Sequence, residues 1–207
     1  IFLNKSCLKK FIQIGSSLEY GNEKSPQIEK YKCKPKSNYS KAKYLATQYL
    51  IGKCKENFFP GTVLRLYQVY GPKQDVNRFL PIIITSCLKN KKFPCSSGEQ
   101  FRDFLFVDDL INAIERTMLS KNTDGEIINI GSGKPQKIRK IIKYVNLKVK
   151  RGYPQLGAIK LRTDESYKTF PSIKKSKKLI NWKPSSKFRD KLNSVILHYK
   201  RNLKEYL

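Results

Sequence analysis

Short apolar runs alternate with longer stretches of helical spacing, and this alternation constrains the fold of the 207-residue chain more than any other feature. Each run is rich in β-branched or aromatic residues, which is typical of a buried parallel strand. The runs lie at residues 11–17, 62–66, 104–107 and 126–130. Because parallel strands need long crossover connections, usually helices, the alternation predicts an α/β fold with a parallel sheet.

The remaining segments predict helices and one loop over the sheet. Residues 18–37 are polar and contain Gly21 and two prolines, which favours a loop. A helix over 38–53 follows, and either Ser37 or Asn38 can cap its first turn. The other predicted elements are helices at 81–90, 135–145, 173–179 and 187–203, and a short strand near 159–162.

Tyr39 and Lys43 are four residues apart on the first predicted helix, so their side chains can converge on one site. An ammonium group beside a phenol favours loss of the phenol proton, which suits acid–base work near neutral pH. Ser16 and Ser17 end the preceding strand, at the sheet edge where ligands bind in open α/β folds. A strand-end serine followed by Tyr-x-x-x-Lys is a hydride-transfer constellation. Taken alone, the Tyr/Lys pair also fits an ordinary exposed helix face.

Five further stretches occur in an order that resembles one family. They are residues 15–21 (GSSLEYG), 64–72 (LRLYQVYGP), 102–109 (RDFLFVDD), 129–133 (NIGSG) and 181–184 (NWKP). Together with the Tyr/Lys pair they cover nearly the whole chain. The chain therefore resembles the extended short-chain dehydrogenase/reductase family, in its nucleotide-sugar epimerase/dehydratase branch. The resemblance implies NAD or NADP as cofactor, a nucleotide-sugar substrate, and a homodimer formed through the helix that carries Tyr39.

The resemblance also implies roles for particular residues. Tyr39 moves the substrate proton, Ser16 orients the oxygen and Lys43 holds the nicotinamide ribose; these three, with Leu66 and Tyr67, contact the cofactor. The implied substrate-binding residues are Ser17, Gln68, Arg78, Phe79, Arg102, Arg162 and Glu165. Within that set the arginines at 102 and 162 bind the diphosphate, and the glutamate binds ribose hydroxyls. No metal site is expected.

By the same resemblance, the fold is the C-terminal portion of a Rossmann-like parallel sheet with a smaller helix-rich substrate-binding lobe. Residues 1–75 are assigned to the NAD(P)-binding domain, to which 103–132 return. Residues 76–102 and 133–207 are assigned to the substrate-binding lobe. Relatives carry a leading strand and a glycine-rich turn before the region that matches, so we expect this chain to be a C-terminal part that is inactive alone.

The expected reaction is 4-epimerisation or 4-keto reduction of a nucleotide-linked hexose. A 4,6-dehydratase of this family typically has an Asp-Glu pair directly after the catalytic hydroxyl. Here those positions are Ser17 and Leu18, and neither side chain suits the extra proton transfers. Glu19 is one residue too late, and a shift of one along a strand turns a side chain to the opposite face. The alternative is a catalytically inactive Rossmann-like scaffold or a basic nucleic-acid-binding module.

Composition bears mainly on partners and location. The net charge is +27, but the lysines are spread over every segment instead of forming one patch, so nucleic-acid binding is not expected. The five cysteines are scattered without C-x-x-C spacing, which favours a reduced, cytoplasmic protein. No apolar run approaches the roughly 20 residues that span a membrane.

Overall fold

The computed structural model describes residues 7–57, 59–161 and 165–206. Its strands are β1 (Phe11–Ser16), β2 (Gly61–Leu66), β3 (Gln68–Tyr70), β4 (Lys92–Cys95), β5 (Phe101–Arg102), β6 (Phe104–Phe106), β7 (Glu126–Ile130), β8 (Gln136–Lys137), β9 (Tyr153–Leu156) and β10 (Lys168–Thr169). Its α-helices are α1 (Asn38–Asn57), α2 (Phe79–Leu88), α3 (Val107–Leu119), α4 (Ile138–Val149), α5 (Lys174–Ile180) and α6 (Phe188–Arg201). Short 3-10 helices cover Ser17–Tyr20 and Leu203–Tyr206.

The main sheet is parallel, as the sequence predicts, with the strand order β1-β2-β7. Ser16 at the end of β1 lies opposite Leu66 at the end of β2. Helix α1 is the crossover between these two strands, and β3 pairs with β6 in a second parallel ladder. The α/β class and the parallel sheet are therefore confirmed.

The remaining elements surround the largest apolar cluster. Strands β4 and β9 pair in parallel, and β5 lies between β10 and β8. Helices α2, α4 and α6 supply most of the cluster, from residues such as Ile84, Ile142 and Leu192. A separate cluster under the main sheet contains Trp182, which is buried and whose Nε1 donates to the Asp109 carbonyl at 3.1 Å. The division of the chain into a cofactor domain and a substrate lobe stays a prediction.

Some predicted boundaries are wrong. Residues 159–161 form no strand, and residue 162 lies outside the described residues. The strand lies earlier, at Tyr153–Leu156, where β4 supplies a pairing partner. Pro81 does lie in the first turn of α2, where the missing N–H of a proline costs nothing, but the helix ends at Leu88 and not at 90. Helix α4 begins only at Ile138, because the two preceding residues pair with β5.

Helix α1 presents little of its apolar stripe to the sheet. Ser37 is its cap, since the Ser37 Oγ accepts from the Ser40 N–H at 3.2 Å. Leu50 is buried against the sheet, whereas Leu45 and Tyr49 are exposed at 67% and 71%. An exposed apolar helix face of this kind is typical of a contact surface.

In the described part of the chain, no helix combines the length and apolar character required to cross a membrane. The cytoplasmic location stays a prediction.

Candidate active site

The carboxyl ends of β1 and β2 open onto a cavity of about 380 Å³. Residues from several parts of the chain line it, because the strand ends, the first turn of α1 and the 165–169 segment meet there. They include Ser17, Tyr39, Tyr67, Gln68, Arg102 and Glu165. These six residues are among those that the sequence analysis proposed for the site.

The side chains of Tyr39 and Lys43 lie close together in the structure. Tyr39 is 56% exposed at the cavity, in the first turn of α1, and the Lys43 Nζ lies 5.9 Å from its ring centre. The Lys43 Nζ also donates to the Ile14 carbonyl at 2.9 Å. This bond ties the helix to β1 and fixes the ammonium group beside the strand end.

The same helix carries a second Tyr-x-x-x-Lys pair. The Lys53 Nζ lies 5.7 Å from the ring centre of Tyr49, so the local geometry is nearly the same. Tyr49, however, is absent from the lining of the cavity. The pair at 39 and 43 is therefore distinguished by its position at the strand ends and not by its spacing.

The two strand-end serines lie in different environments. Ser17 lines the cavity, whereas Ser16 is buried and caps the 3-10 helix that follows, its Oγ accepting from the Leu18 N–H at 3.2 Å. A serine oxygen that accepts such a bond retains its own proton for donation. Ser16 is thus fixed in orientation, and Ser17 is open to a ligand.

Glu19 is turned into the protein interior. Its Oε1 accepts from the Ser16 N–H at 2.8 Å, and its Oε2 accepts from the Arg65 Nε at 2.9 Å. The backbone here is a 3-10 helix and not a continued strand, yet the carboxylate still points away from the cavity. This agrees with the expectation that Glu19 cannot act on a ligand at the strand end.

A second cavity of about 400 Å³ adjoins the first. Its walls are mainly apolar, and they include Phe79, Ile82, Ile83, Phe93, Ile138 and Ile142. Gln68, Arg102 and Glu165 line both cavities, so they form the junction between them.

Arg102 is the charged group at this junction. It forms an ion pair with Glu165, and its Nη1 donates to the Phe101 carbonyl at 2.8 Å. Burial lowers the pKa of Arg102, and the nearby Glu165 carboxylate opposes that shift. A guanidinium remains charged under such conditions, so the junction presents a fixed cation suited to phosphate.

Four of the predicted residues that the structure describes line neither of the two cavities: Ser16, Lys43, Leu66 and Arg78. Leu66 packs against the apolar cluster under the sheet, and Arg78 is exposed just before α2. Arg162 lies outside the described residues. Their assigned roles stay predictions.

Sequence reasoning missed a buried polar network behind the site. The Tyr67 hydroxyl donates to the Gln27 Oε1 at 2.8 Å, and the Asn129 Nδ2 donates to the Gln27 carbonyl at 3.1 Å. The Tyr20 hydroxyl donates to the Asn129 Oδ1 at 2.8 Å. The signal available in the sequence was the presence of Arg65 and Asn129 inside otherwise apolar strands, since buried polar residues need partners.

Within the described ranges, no three His, Cys, Asp or Glu side chains come together as a metal-binding group. The five cysteines are free thiols.

Comparison with known proteins gives a consistent result. The family model described as "NAD dependent epimerase/dehydratase family" matches residues 2–131. A putative UDP-glucose 4-epimerase of Methanocaldococcus jannaschii is 29% identical over 182 residues, covering 86% of this chain and 58% of that protein. A dTDP-D-glucose 4,6-dehydratase of Mus musculus is 25% identical over 202 residues, covering 94% of this chain and 57% of that protein.

A solved structure shares the fold. The UDP-glucuronic acid 4-epimerase of Bacillus cereus, in complex with UDP-glucuronic acid and NAD, matches with a TM-score of 0.86 and 27% identity. The match covers 97% of this chain and 63% of that one. The chain thus spans less than two thirds of the length of these relatives.

Proposed function

Because the chain belongs to the NAD-dependent epimerase/dehydratase family, we propose that it supplies the proton-transfer and substrate-binding groups of a nucleotide-sugar 4-epimerase or 4-keto reductase. The observation that carries this proposal is the pair of adjoining cavities. One contains Tyr39 at the strand ends, the other is apolar, and Arg102 lies between them. Family membership favours an enzyme over an inactive scaffold or a nucleic-acid-binding module.

The residues at the strand ends fit the nicotinamide ribose end of NAD. Tyr39 is exposed and Lys43 lies beside it at the carboxyl edge of β1, where α/β sheets bind cofactors. When bound, NAD exchanges hydride with C4 of the sugar. In our proposal Tyr39 takes or returns the proton of the C4 oxygen, Ser16 donates a hydrogen bond to that oxygen, and Lys43 holds the ribose.

The substrate extends from one cavity to the other in this proposal. Ser17 and Gln68 contact the sugar, and Arg102 binds the diphosphate at the junction. Glu165 then exchanges its ion pair with Arg102 for the hydroxyls of the ribose. The base lies against Phe79 in the apolar cavity, which suits a planar ring.

The reaction type that we propose follows from the two residues after Ser16, which cannot serve as an additional acid and base. A 4,6-dehydratase must also move the C5 proton and expel the C6 hydroxyl, which requires an additional acid and base. Ser17 and Leu18 occupy the positions where that pair would stand, and Glu19 is turned inward to Arg65. We therefore propose chemistry at C4 alone.

We also propose a homodimer formed through α1. Its exposed face carries Leu45 and Tyr49, and burial of large apolar side chains is the main driving force of stable association. In such a dimer, α1 is packed between the sheet of its own protomer and the partner protomer.

The product test decides the reaction type. When the intact enzyme and NAD are incubated with UDP-, dTDP- and CDP-linked hexoses, we expect 4-epimers, or reduction of 4-keto sugars when NADH is supplied. NMR of the products identifies them. Formation of a 4-keto-6-deoxy sugar at an enzymatic rate would show that the interpretation of Ser17 and Leu18 is wrong.

Tyr39→Phe should reduce kcat by about 100- to 10,000-fold, because it removes the proton carrier. The affinity for the nucleotide sugar should change little, since the ring remains. The matched control is Tyr49→Phe, which changes the second Tyr/Lys pair of α1 and should leave kcat unaltered. Steady-state kinetics and calorimetric binding measure the two quantities. Normal turnover of Tyr39→Phe would remove Tyr39 from the mechanism.

Arg102→Ala should weaken binding of the nucleotide sugar. A hydrogen bond to a charged group contributes about 1.5–3 kcal/mol, which corresponds to a Kd raised about 10- to 150-fold. Arg139→Ala is the control, because Arg139 also pairs with a glutamate, at 3.2 Å from Glu99, but lines neither cavity. Isothermal titration calorimetry gives both constants. An unchanged Kd for Arg102→Ala would contradict a phosphate-binding role.

The double substitution Leu45→Glu and Tyr49→Glu should convert the dimer to a monomer, because it places charges in the apolar interface. Sedimentation velocity measures the change in mass. Lys140→Glu, at an exposed position of α4, serves as a control for altered net charge. A wild-type monomer, or an unchanged dimer in the double variant, would contradict this interface.

A further inference from the structure

An ion pair is completely buried behind the strand ends. The side chains of Glu19 and Arg65 are 0% and 1% exposed, and the Arg65 Nε lies 2.9 Å from the Glu19 Oε2. Removing two charges from water costs more free energy than their attraction commonly returns. A buried pair of this kind therefore need not stabilise the folded protein and can have another role.

The second oxygen of Glu19 holds the backbone of Ser16. The Glu19 Oε1 accepts from the Ser16 N–H at 2.8 Å, while the Ser16 Oγ accepts from the Leu18 N–H at 3.2 Å. These reciprocal bonds form a capping box. Ser16 is thereby fixed through its backbone and through its side chain.

Gly15 shows how closely the carboxylate approaches the chain. A Cβ atom at Gly15 would lie 2.7 Å from the Glu19 Oε1, which is too close for any larger residue without movement. The carboxylate therefore packs directly against the last residues of β1.

Arg65 anchors the carboxylate from the neighbouring strand. It lies on β2 opposite Gly15, and its guanidinium carbon is 4.6 Å from the ring centre of Tyr20. Burial opposes the charged form of Arg65, but the neighbouring Tyr20 and Glu19 outweigh it and raise its pKa above the usual value. The pair thus links the ends of two adjacent strands.

We propose that the Glu19–Arg65 pair is a positioning device that sets the orientation of Ser16 for turnover. The carboxylate holds the Ser16 backbone, and Arg65 holds the carboxylate. Both side chains are enclosed, at 0% and 1% exposed, so we assign them no contact with a ligand. The link to turnover rests on the proposed function, whereas the link to the Ser16 backbone does not.

The test replaces both charges together. A single substitution would leave one buried charge unpaired and could unfold the protein, whereas replacing both partners by apolar residues is often neutral. Glu19→Leu with Arg65→Met should therefore keep a melting temperature near that of the wild type. It should lower kcat about 10- to 100-fold with little change in KM, because a displaced hydroxyl affects the reacting oxygen more than binding.

A double-mutant cycle separates positioning from a general structural effect. In a Ser16→Ala background the Glu19→Leu/Arg65→Met change should lower kcat no further, since the hydroxyl it positions is already absent. An equal, additional loss in that background would overturn the proposal. Unaltered kcat in the charge-free variant with Ser16 intact would also overturn it.

Amide hydrogen exchange at Ser16 tests the backbone link without any substrate. The exchange should be faster in the Glu19→Leu/Arg65→Met variant, because the acceptor of the Ser16 N–H is lost, while exchange at Ile128 in β7 should be unchanged. Unchanged exchange at Ser16 overturns the proposal. If the wild type turns over no nucleotide sugar, the proposed function fails, and this exchange measurement still decides the positioning claim.

Discussion

The parallel pairing of β1 with β2 is the interaction on which the rest of the structure depends. It runs in register from Phe11 opposite Gly61 to Ser16 opposite Leu66, so both strands end at the same edge. Parallel neighbours require a crossover, and α1 is that crossover. Its first turn consequently lies above the shared edge, where Tyr39 meets the residues that follow each strand.

Buried polar side chains that are joined by hydrogen bonds lie behind that edge. Gln27 joins the loop before α1 to β7 through Asn129, and to the residue that follows β2 through Tyr67. The Gln27 N–H also donates to the Phe170 carbonyl at 2.9 Å, which brings in the C-terminal part of the chain. A fully paired network of this kind rigidifies a site, because each member loses hydrogen bonds if another moves.

The basic side chains of this protein lie in two kinds of surroundings, exposed to solvent or shielded from it. Most of the excess of 43 Lys and Arg over 16 Asp and Glu is spread along the chain, where solvent and salt screen it. Arg102 and Arg65 differ because their surroundings are partly or fully dry, and each is held by a carboxylate. Arg102 can exchange its partner at the junction of two cavities, whereas Arg65 is enclosed. In our proposals, burial and access, and not the number of cations, separate the binding residue Arg102 from the positioning residue Arg65.

The sequence by itself determined the fold class, which rests on local patterns, and it predicted the candidate catalytic residues. Strand runs such as 62–66 and 126–130 have the right composition, and Tyr39 and Lys43 have helical spacing that the structure preserves. Only tertiary structure decided the rest. It distinguished Tyr39 from the equivalent pair at Tyr49, and it placed the late strand at Tyr153–Leu156, where β4 offers a partner. It also gave Glu19 a role, because the partner of that carboxylate lies 46 residues away on the neighbouring strand, a separation that no local pattern encodes.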